Sequence, residues 1–93
     1  MGIYYEWSDY QKGLSYERLC QVMFDKGMVI KEEITDLKVM MPIVYEIKNI
    51  KEWSKENLDG LWTSIFQPNT SKEVLTLFFE KEEDITAFKL RWL

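Results

Sequence analysis

Residues 61–80, LWTSIFQPNTSKEVLTLFFE, hold two runs of aromatic and branched side chains separated by PNTSK. Such runs are typical of β-strands, and a segment led by proline and asparagine is typical of a turn. The stretch therefore predicts a β-hairpin, with strands over residues 61–67 and 74–79 and a turn from Pro68 to Lys72.

The first of these runs also permits a helical interpretation, because apolar residues recur at helical spacing from Leu58 to Phe66. A helix through residues 58–67 would hold Gly60 in its interior, at a cost of about 1 kcal/mol relative to alanine. That cost and the turn signal that follows favour the hairpin. The longer helix is the alternative for this segment.

The segment after the hairpin, Glu82 to Trp92, has the pattern of an amphipathic helix. Ile85, Phe88 and Trp92 fall on one helical face, which we expect to lie across the sheet. Acidic residues occupy the first turn and basic residues the last, as the helix dipole favours. The apolar end of the chain is therefore predicted to be a docked helix end.

Two other helices are predicted nearer the N-terminus. The first runs from Ser15 as its N-cap to Gly27 just beyond its C-terminus. Its apolar face consists of Tyr16, Leu19, Cys20, Met23 and Phe24. The second is short, from about Ile50 to Leu58, and is closed by Gly60.

Three further segments are predicted to be extended. Ile3 to Trp7 and Met28 to Ile34 have the branched and aromatic bias of short strands. In the segment from Val39 to Lys48, the residues of IVYEIK alternate with the period of a half-buried strand. Pro42 places the start of this strand at the proline or puts the strand at a sheet edge.

These elements predict an α+β fold in a single domain spanning residues 1–93, with a small antiparallel sheet and two main helices. A variant of the ferredoxin-like architecture is one arrangement that fits. Hydrophobic residues make up 46% of the chain, which indicates a folded domain. Its core is expected to include the aromatic residues Phe24, Phe66, Phe78 and Trp92.

The formal charge of the chain is −4, so it lacks the basic stripe typical of nucleic-acid binding. We therefore expect no direct nucleic-acid partner. Acidity also disfavours an anionic membrane surface, and no apolar run approaches the roughly 20 residues of a membrane-spanning helix. The single cysteine and the absence of a secretion signal in MGIYYEWSDY favour a reducing, cytoplasmic compartment.

Residue types that commonly carry chemistry are scarce. The chain has no histidine, which removes Ser–His and Cys–His pairs, and one cysteine cannot build a thiolate zinc site. The acidic groups Glu32–Glu33 and Glu80–Asp84 fit a solvated turn and a helix N-terminus better than a catalytic pair or a cation site. We expect no enzymatic activity, no metal and no cofactor, and we expect Cys20 to be a buried, inert thiol.

Aromatic residues make up 15% of the chain, and many of them crowd near its start. One strand cannot bury so many large side chains, and tyrosine and tryptophan are enriched in interface hot spots. Packing within the fold is the alternative interpretation of these rings. The predicted partner-binding residues are Tyr4, Tyr5, Glu6, Trp7, Asp9 and Tyr10. Glu6 and Asp9 would make this surface acidic and suited to a basic partner surface. The turn from Pro68 to Lys72 is the next candidate.

The C-terminal half resembles small proteins encoded by tailed bacteriophages. The resemblance covers residues 47–93 and rests on IKEW and KENLDGLW, a hairpin, and then FFEKEEDITAFKLRWL. Many such proteins end in a strand plus an acidic helix with a D-A-x-x-F-K-L-R-W terminus, matched here by Asp84, Phe88, Lys89, Leu90, Arg91 and Trp92. This chain departs at Ile85 and Thr86 and lacks the cysteines of the EW…EN…G block. The resemblance implies a phage origin and a fold, since most such proteins have no assigned activity.

These features lead us to expect a non-catalytic phage accessory protein in the host cytoplasm. It would bind a host protein, such as a defence effector, a nuclease or RNA polymerase, and inhibit or redirect it. The alternative is a module that sequesters a small nucleotide signal, with tyrosine or tryptophan stacked on the base and a basic side chain at the phosphate.

Overall fold

Five helices and four strands are formed by the residues that the structure, a computed structural model, describes, namely 1–67 and 73–93. In chain order they are β1 (Ile3–Tyr4), α1 (Asp9–Lys12), α2 (Tyr16–Asp25), β2 (Ile30–Ile34), α3 (Leu37–Tyr45), α4 (Ile47–Asn57), β3 (Leu61–Gln67), β4 (Val74–Phe79) and α5 (Glu82–Trp92). None of the helices in this part of the chain is long and apolar enough to cross a membrane. The predicted turn from Pro68 to Lys72 lies outside the described residues. The fold class is α+β, as predicted.

The four strands form one mixed sheet in the order β1-β3-β4-β2. β3 and β4 pair antiparallel from Trp62 opposite Phe79 to Gln67 opposite Val74, which confirms the two strands of the predicted hairpin. β2 pairs antiparallel with the other side of β4, whereas β1 pairs parallel with β3. The order of elements along the chain differs from the β-α-β-β-α-β order of ferredoxin-like folds.

Each face of the sheet carries its own apolar cluster beneath helices. On one face, α2 packs through Cys20 and Met23 onto Phe78 of β4. On the other face, α3, α4 and α5 pack onto Trp62 and Phe79. The remaining buried residues of this larger cluster are Ile34, Met40, Ile43, Ile50, Leu58, Leu75, Leu77, Ile85 and Phe88. Because successive side chains of a strand point to opposite faces, the central strand β4 is buried on both sides.

The helices α2 and α5 form where the sequence predicts them. The Ser15 side chain caps α2 by accepting a hydrogen bond from the backbone N–H of Arg18, and Gly27 follows the helix with a φ of 93°. That left-handed conformation favours glycine. In α5, Ile85 and Phe88 are buried and Trp92 is half-buried against the same cluster, so the C-terminal helix lies across the sheet.

The predicted strand from Val39 to Lys48 is wrong, because most of this segment forms the helix α3. The Asp36 side chain caps that helix by accepting a hydrogen bond of 2.9 Å from the backbone N–H of Lys38. Ile43 and Ile47 are four residues apart, a spacing that satisfies a strand and a helix equally, but Tyr45 between them is 82% exposed. Burial of Met40 and Ile43 offsets the cost of Pro42 inside the helix, typically about 3 kcal/mol.

The remaining differences are smaller. The predicted helix from Ile50 begins earlier, at Ile47, and the predicted strand over residues 3–7 is limited to Ile3–Tyr4. Phe24 and Phe66 were expected in the core, yet they are 39% and 37% exposed. Phe24 lies near the C-terminal end of α2, and Phe66 lies near the end of β3, where each ring is only partly covered.

Candidate functional site

The strand β1 is too short to cover the outer edge of β3. The backbone N–H of Ile3 donates to the carbonyl of Gly60 at 3.2 Å, and that of Tyr5 donates to the carbonyl of Trp62 at 2.8 Å. The parallel pairing then ends. The Thr63 hydroxyl donates to the Tyr5 carbonyl at 2.8 Å in place of the next backbone bond. Beyond this point the edge of β3 faces a groove.

The direction of the β3 backbone groups follows from these hydrogen bonds. The carbonyl of Leu61 points toward β4, where it accepts from the N–H of Glu80 at 2.9 Å, whereas the carbonyl of Trp62 points toward β1. Backbone groups of a strand alternate between its two sides. Those of Ser64 and Phe66 therefore point the same way as Trp62, into the space that β1 leaves open.

A groove with a volume of about 850 Å³ lies along this open edge, and we call it the edge groove. Its floor is the second half of β3. Its lining residues are Tyr4, Glu6, Trp7, Lys12, Tyr16, Leu19, Ile43, Val44, Ile47, Lys51, Ser64, Ile65, Phe66, Gln67 and Leu75. These residues come from both faces of the sheet, so the edge groove continues around the edge rather than lying on one face.

The two walls of the edge groove are largely apolar. Ile43, Val44 and Ile47 of α3 and α4 form the wall on one face of the sheet. Trp7 and Leu19 belong to the wall on the α2 side, together with the Tyr16 ring. Burial raises the pKa of the Tyr16 phenol above its ordinary value, while its hydrogen bond with Thr76 opposes that change. Tyr16 therefore remains neutral at physiological pH.

Tyr4 is the last residue of β1 and lies at the beginning of the edge groove. Its hydroxyl shares a hydrogen bond of 2.8 Å with the Ser64 hydroxyl, and its ring meets Trp62 edge-on at 4.8 Å between centroids. The Lys51 ammonium lies 4.2 Å from the centre of the Tyr4 ring. These three contacts hold the Tyr4 ring in one orientation beside the open edge.

The charges at the rim of the edge groove differ from the acidic surface predicted from sequence. Glu6 pairs with Lys51 at 3.0 Å, so its charge is balanced within the fold. Lys12 also lines the groove and makes no ion pair within residues 1–67 and 73–93. Asp9 is exposed on α1 and does not line the groove.

The predicted site residues are divided between different environments. Tyr4, Glu6 and Trp7 line the edge groove. Tyr5 lies on the α2 side of the sheet, where its ring meets Trp7 edge-on at 5.5 Å and its hydroxyl accepts a hydrogen bond of 2.6 Å from Gln11. Tyr10 is 80% exposed on α1. The structure therefore brings three of the six residues together at one site.

A capping box determines how the chain leaves the sheet after Trp7. The Ser8 hydroxyl accepts from the backbone N–H of Gln11 at 3.1 Å, and the Gln11 side chain accepts from the N–H of Ser8 at 3.0 Å. This pair starts the short helix α1 at Asp9, with four residues between it and the end of β1. The turn away from β3 is thereby built into the local sequence, and it keeps the edge open.

Groups suited to covalent or metal chemistry are not gathered at the groove. Within residues 1–67 and 73–93 there is no cluster of three His, Cys, Asp or Glu residues that could hold a metal ion. Cys20 is buried on the apolar face of α2, as predicted. Glu32 and Glu33 lie in β2 rather than in a solvated turn, which corrects that interpretation.

The sequence did not indicate the two residues that define the edge, Ser64 and Phe66. Their importance comes from their backbone groups, not from their side chains. It depends on where β1 stops, some 60 residues earlier in the chain. Only the capping signal of Ser8 and Gln11 marks that stop in the sequence.

No protein-family model matches the chain, and no curated protein or solved structure matches it either. The edge groove is therefore the structural feature from which a function can be inferred.

Proposed function

We propose that the protein is a non-catalytic binding module that holds a host protein at the edge groove. The observation that carries this proposal is the open edge of β3 between two apolar walls, with Tyr4 and Trp7 at its start. Apolar clefts with a few fixed polar groups are typical binding sites, and tyrosine and tryptophan are common interface anchors.

The lining of the edge groove suits binding better than chemistry. It offers neither a histidine nor a cysteine, and its carboxylate, Glu6, already pairs with Lys51. Its hydroxyls are also occupied, since Tyr4 bonds to Ser64 and Tyr16 bonds to Thr76. A nucleophile needs an adjacent base to activate it, and the side chains of the groove supply none.

The resemblance to small phage proteins supports the choice of a host protein as the partner. Such an accessory protein acts in the cytoplasm of the infected cell by inhibiting or redirecting its target. A defence effector, a nuclease and RNA polymerase are the target classes that we favour.

A small nucleotide is the second candidate, because Lys12 and Lys51 lie near the aromatic residues of the groove. Stacking requires a free ring face, and phosphate binding requires a free cation. The Tyr4 ring already has Lys51 against it, and Lys51 is already paired with Glu6. Lys12 remains available for a phosphate, but the open backbone edge of β3 favours a polypeptide over a nucleotide as the ligand.

The proposal is tested by capture from bacterial lysate with the intact protein immobilised, followed by mass spectrometry. Val44→Asp places a charge in the groove wall, and Val29→Asp makes the same change at an exposed position outside the groove. We expect a specific protein to be retained by the unchanged chain and by Val29→Asp and lost with Val44→Asp. Melting temperatures establish that both variants are folded.

Two outcomes would contradict this function. Equal capture by Val44→Asp and Val29→Asp would place the interface elsewhere. A rise of several degrees in melting temperature with nucleotides, without any captured protein, would favour the nucleotide candidate.

A further inference from the structure

We propose that the edge groove binds an extended segment of the partner as an additional β-strand beside β3. This inference rests on the proposed function and specifies how the partner is held. The new strand would lie where β1 would have continued, with its backbone paired to Ser64 and Phe66.

The first argument is the set of backbone groups at the open edge. Among the described residues, the N–H of Ser64 has no backbone partner on this side, and its carbonyl receives only a long contact of 3.4 Å from the Tyr4 hydroxyl. Phe66 faces the same way, by the alternation of the strand. Such a row of donors and acceptors is a template for another strand.

The second argument is the contrast with the other edge of the sheet. The outer strand there, β2, carries Lys31, Glu32 and Glu33 in sequence. Lys31 pairs with Glu33 at 3.5 Å, and Glu32 pairs with Lys89 of α5 at 3.4 Å. Charged side chains commonly protect an edge strand from further pairing. The β3 edge is flanked by apolar side chains, whereas the β2 edge carries charged side chains.

The third argument is that the walls lie on both faces of the sheet. Successive side chains of an added strand would point alternately toward the half-buried Val44 and Ile47 on one face and toward the half-buried Trp7 and Tyr16 on the other. Both sets of side chains would therefore meet apolar surface. The segment that fits is a short run of consecutive apolar residues, not a strand with one polar face. An amphipathic helix would leave the backbone groups of Ser64 and Phe66 unpaired.

Charge at the rim adds a preference at one end of this segment. Glu6 and Lys51 balance each other, which leaves Lys12 as the unpaired rim charge within the described part of the chain. An acidic residue flanking the apolar run would pair with Lys12. The proposed ligand is therefore an extended apolar segment with an acidic flank.

The test uses short random peptides displayed in a library and selected on the intact protein. The tightest binder is synthesised in two series, one with each backbone amide methylated in turn and one with each side chain replaced by alanine. Strand pairing requires every second amide, so methylation should weaken binding at least about tenfold at alternate positions and little between them. Tolerance of methylation at every position, or failure to select any peptide, would overturn the inference.

A matched pair of protein variants tests the same contact from the other side. Ser64→Pro removes the outward N–H and leaves the hydrogen bonds to β4, whereas Ser64→Ala removes only the hydroxyl. We expect at least about tenfold weaker binding of the selected peptide with the proline variant and a change of less than about threefold with alanine. Equal effects of the two substitutions would overturn the inference.

If Ser64→Pro does not fold, amide hydrogen exchange of the unchanged protein decides the question. Bound peptide should slow exchange at Ser64 and Phe66, and unchanged exchange there would overturn the inference. These failures are distinguishable from failure of the proposed function. Suppose that Val44→Asp abolishes capture of the partner but methylation weakens peptide binding at no position. The protein would then bind its partner in the groove without adding a strand to the sheet.

Discussion

Gly60 donates its backbone N–H to the carboxylate of Asp84 at 2.8 Å, although the two residues are 24 positions apart. The other oxygen of the same carboxylate accepts from the N–H of Asp59 at 3.0 Å, and Asp84 is only 2% exposed. This carboxylate ties the connection between α4 and β3 to the first turn of α5. It therefore fixes the position at which the central hairpin begins.

The Asp84 contact predicts a large loss of stability on truncation. Asp84→Ala leaves the buried amide of Gly60 and the more exposed amide of Asp59 without their acceptor, and hydrogen bonds to a charged group contribute about 1.5–3 kcal/mol each. We expect a loss of about 3 kcal/mol in the free energy of unfolding, measured by urea denaturation. Glu83→Ala is the matched control, because the neighbouring acidic residue is exposed. A similar small effect of both substitutions would contradict the structural role of Asp84.

Gly60 lies close to the end of the Glu80 side chain, which gives a second prediction. A Cβ atom there would lie 2.8 Å from Glu80 Oε1, the oxygen that accepts from the N–H of Leu61. Because this oxygen is the end of a flexible side chain, Gly60→Ala should displace it and cost about 1 kcal/mol, chiefly through loss of the hydrogen bond to Leu61.

Gly13→Ala is the control for that substitution. Gly13 has ordinary helical angles, and the atom nearest to an added Cβ, the Tyr10 carbonyl oxygen, lies at a van der Waals distance of 3.4 Å. We expect Gly13→Ala to be neutral or stabilising by up to about 1 kcal/mol. Thermal unfolding of the two variants makes the comparison, and equal melting temperatures would count against a steric role for Gly60.

The C-terminal helix provides a third prediction. Trp92 packs edge-on against Trp53 at 5.9 Å, which joins the end of α5 to α4. Trp92→Ala should lower the free energy of unfolding by about 3 kcal/mol. Leu90→Ala, two residues away and 85% exposed, should change it by less than about 0.5 kcal/mol. The opposite order of effects, measured by urea denaturation, would show that α5 presents a different face to the sheet.

Burial of Cys20 leads to a fourth prediction. Its thiol lies with Met23 against Phe78, so a thiol reagent should label it only as fast as the protein opens. A matched control is Gln21→Cys in a Cys20→Ala background, which moves the thiol to the exposed neighbouring position. The control should be labelled rapidly under native conditions. Equal labelling rates for Cys20 and the control would show that this face of α2 is accessible.

The elements that could be predicted from sequence are those with local causes. The hairpin strands follow from residues within 61–79, and α5 follows from its own apolar face and terminal charges. The strand predicted from Val39 to Lys48 is wrong because the spacing of Ile43 and Ile47 fits a strand and a helix equally. The contacts that favour the helix are made with the sheet, which is distant in sequence. A short apolar run is ambiguous for that reason.

The candidate site was only partly predictable, because its main feature is non-local. The aromatic segment near the N-terminus was visible, and Tyr4 and Trp7 do line the edge groove. The open edge itself depends on a parallel pairing between Tyr4 and Trp62, which no local pattern indicates. The predicted acidity of the site was also altered by tertiary contact, since Lys51 of α4 pairs with Glu6.

The last prediction separates the edge groove from the exposed helix α1 as the place where a partner binds. Trp7 lines the groove, and its indole nitrogen is buried without a hydrogen-bond partner among the described residues. The ring therefore contributes apolar surface. Tyr10 is exposed and lies outside the groove lining. Since a true interface anchor contributes about 2 kcal/mol or more, Trp7→Ala should weaken partner binding by that amount, whereas Tyr10→Ala should not.

Isothermal titration with the selected peptide measures both variants, and their melting temperatures establish folding. Because Trp7 also packs against Tyr5, the conservative Trp7→Phe serves as the control, with apolar surface retained and binding largely preserved. Loss of binding with Tyr10→Ala and not with Trp7→Ala would move the interface to α1.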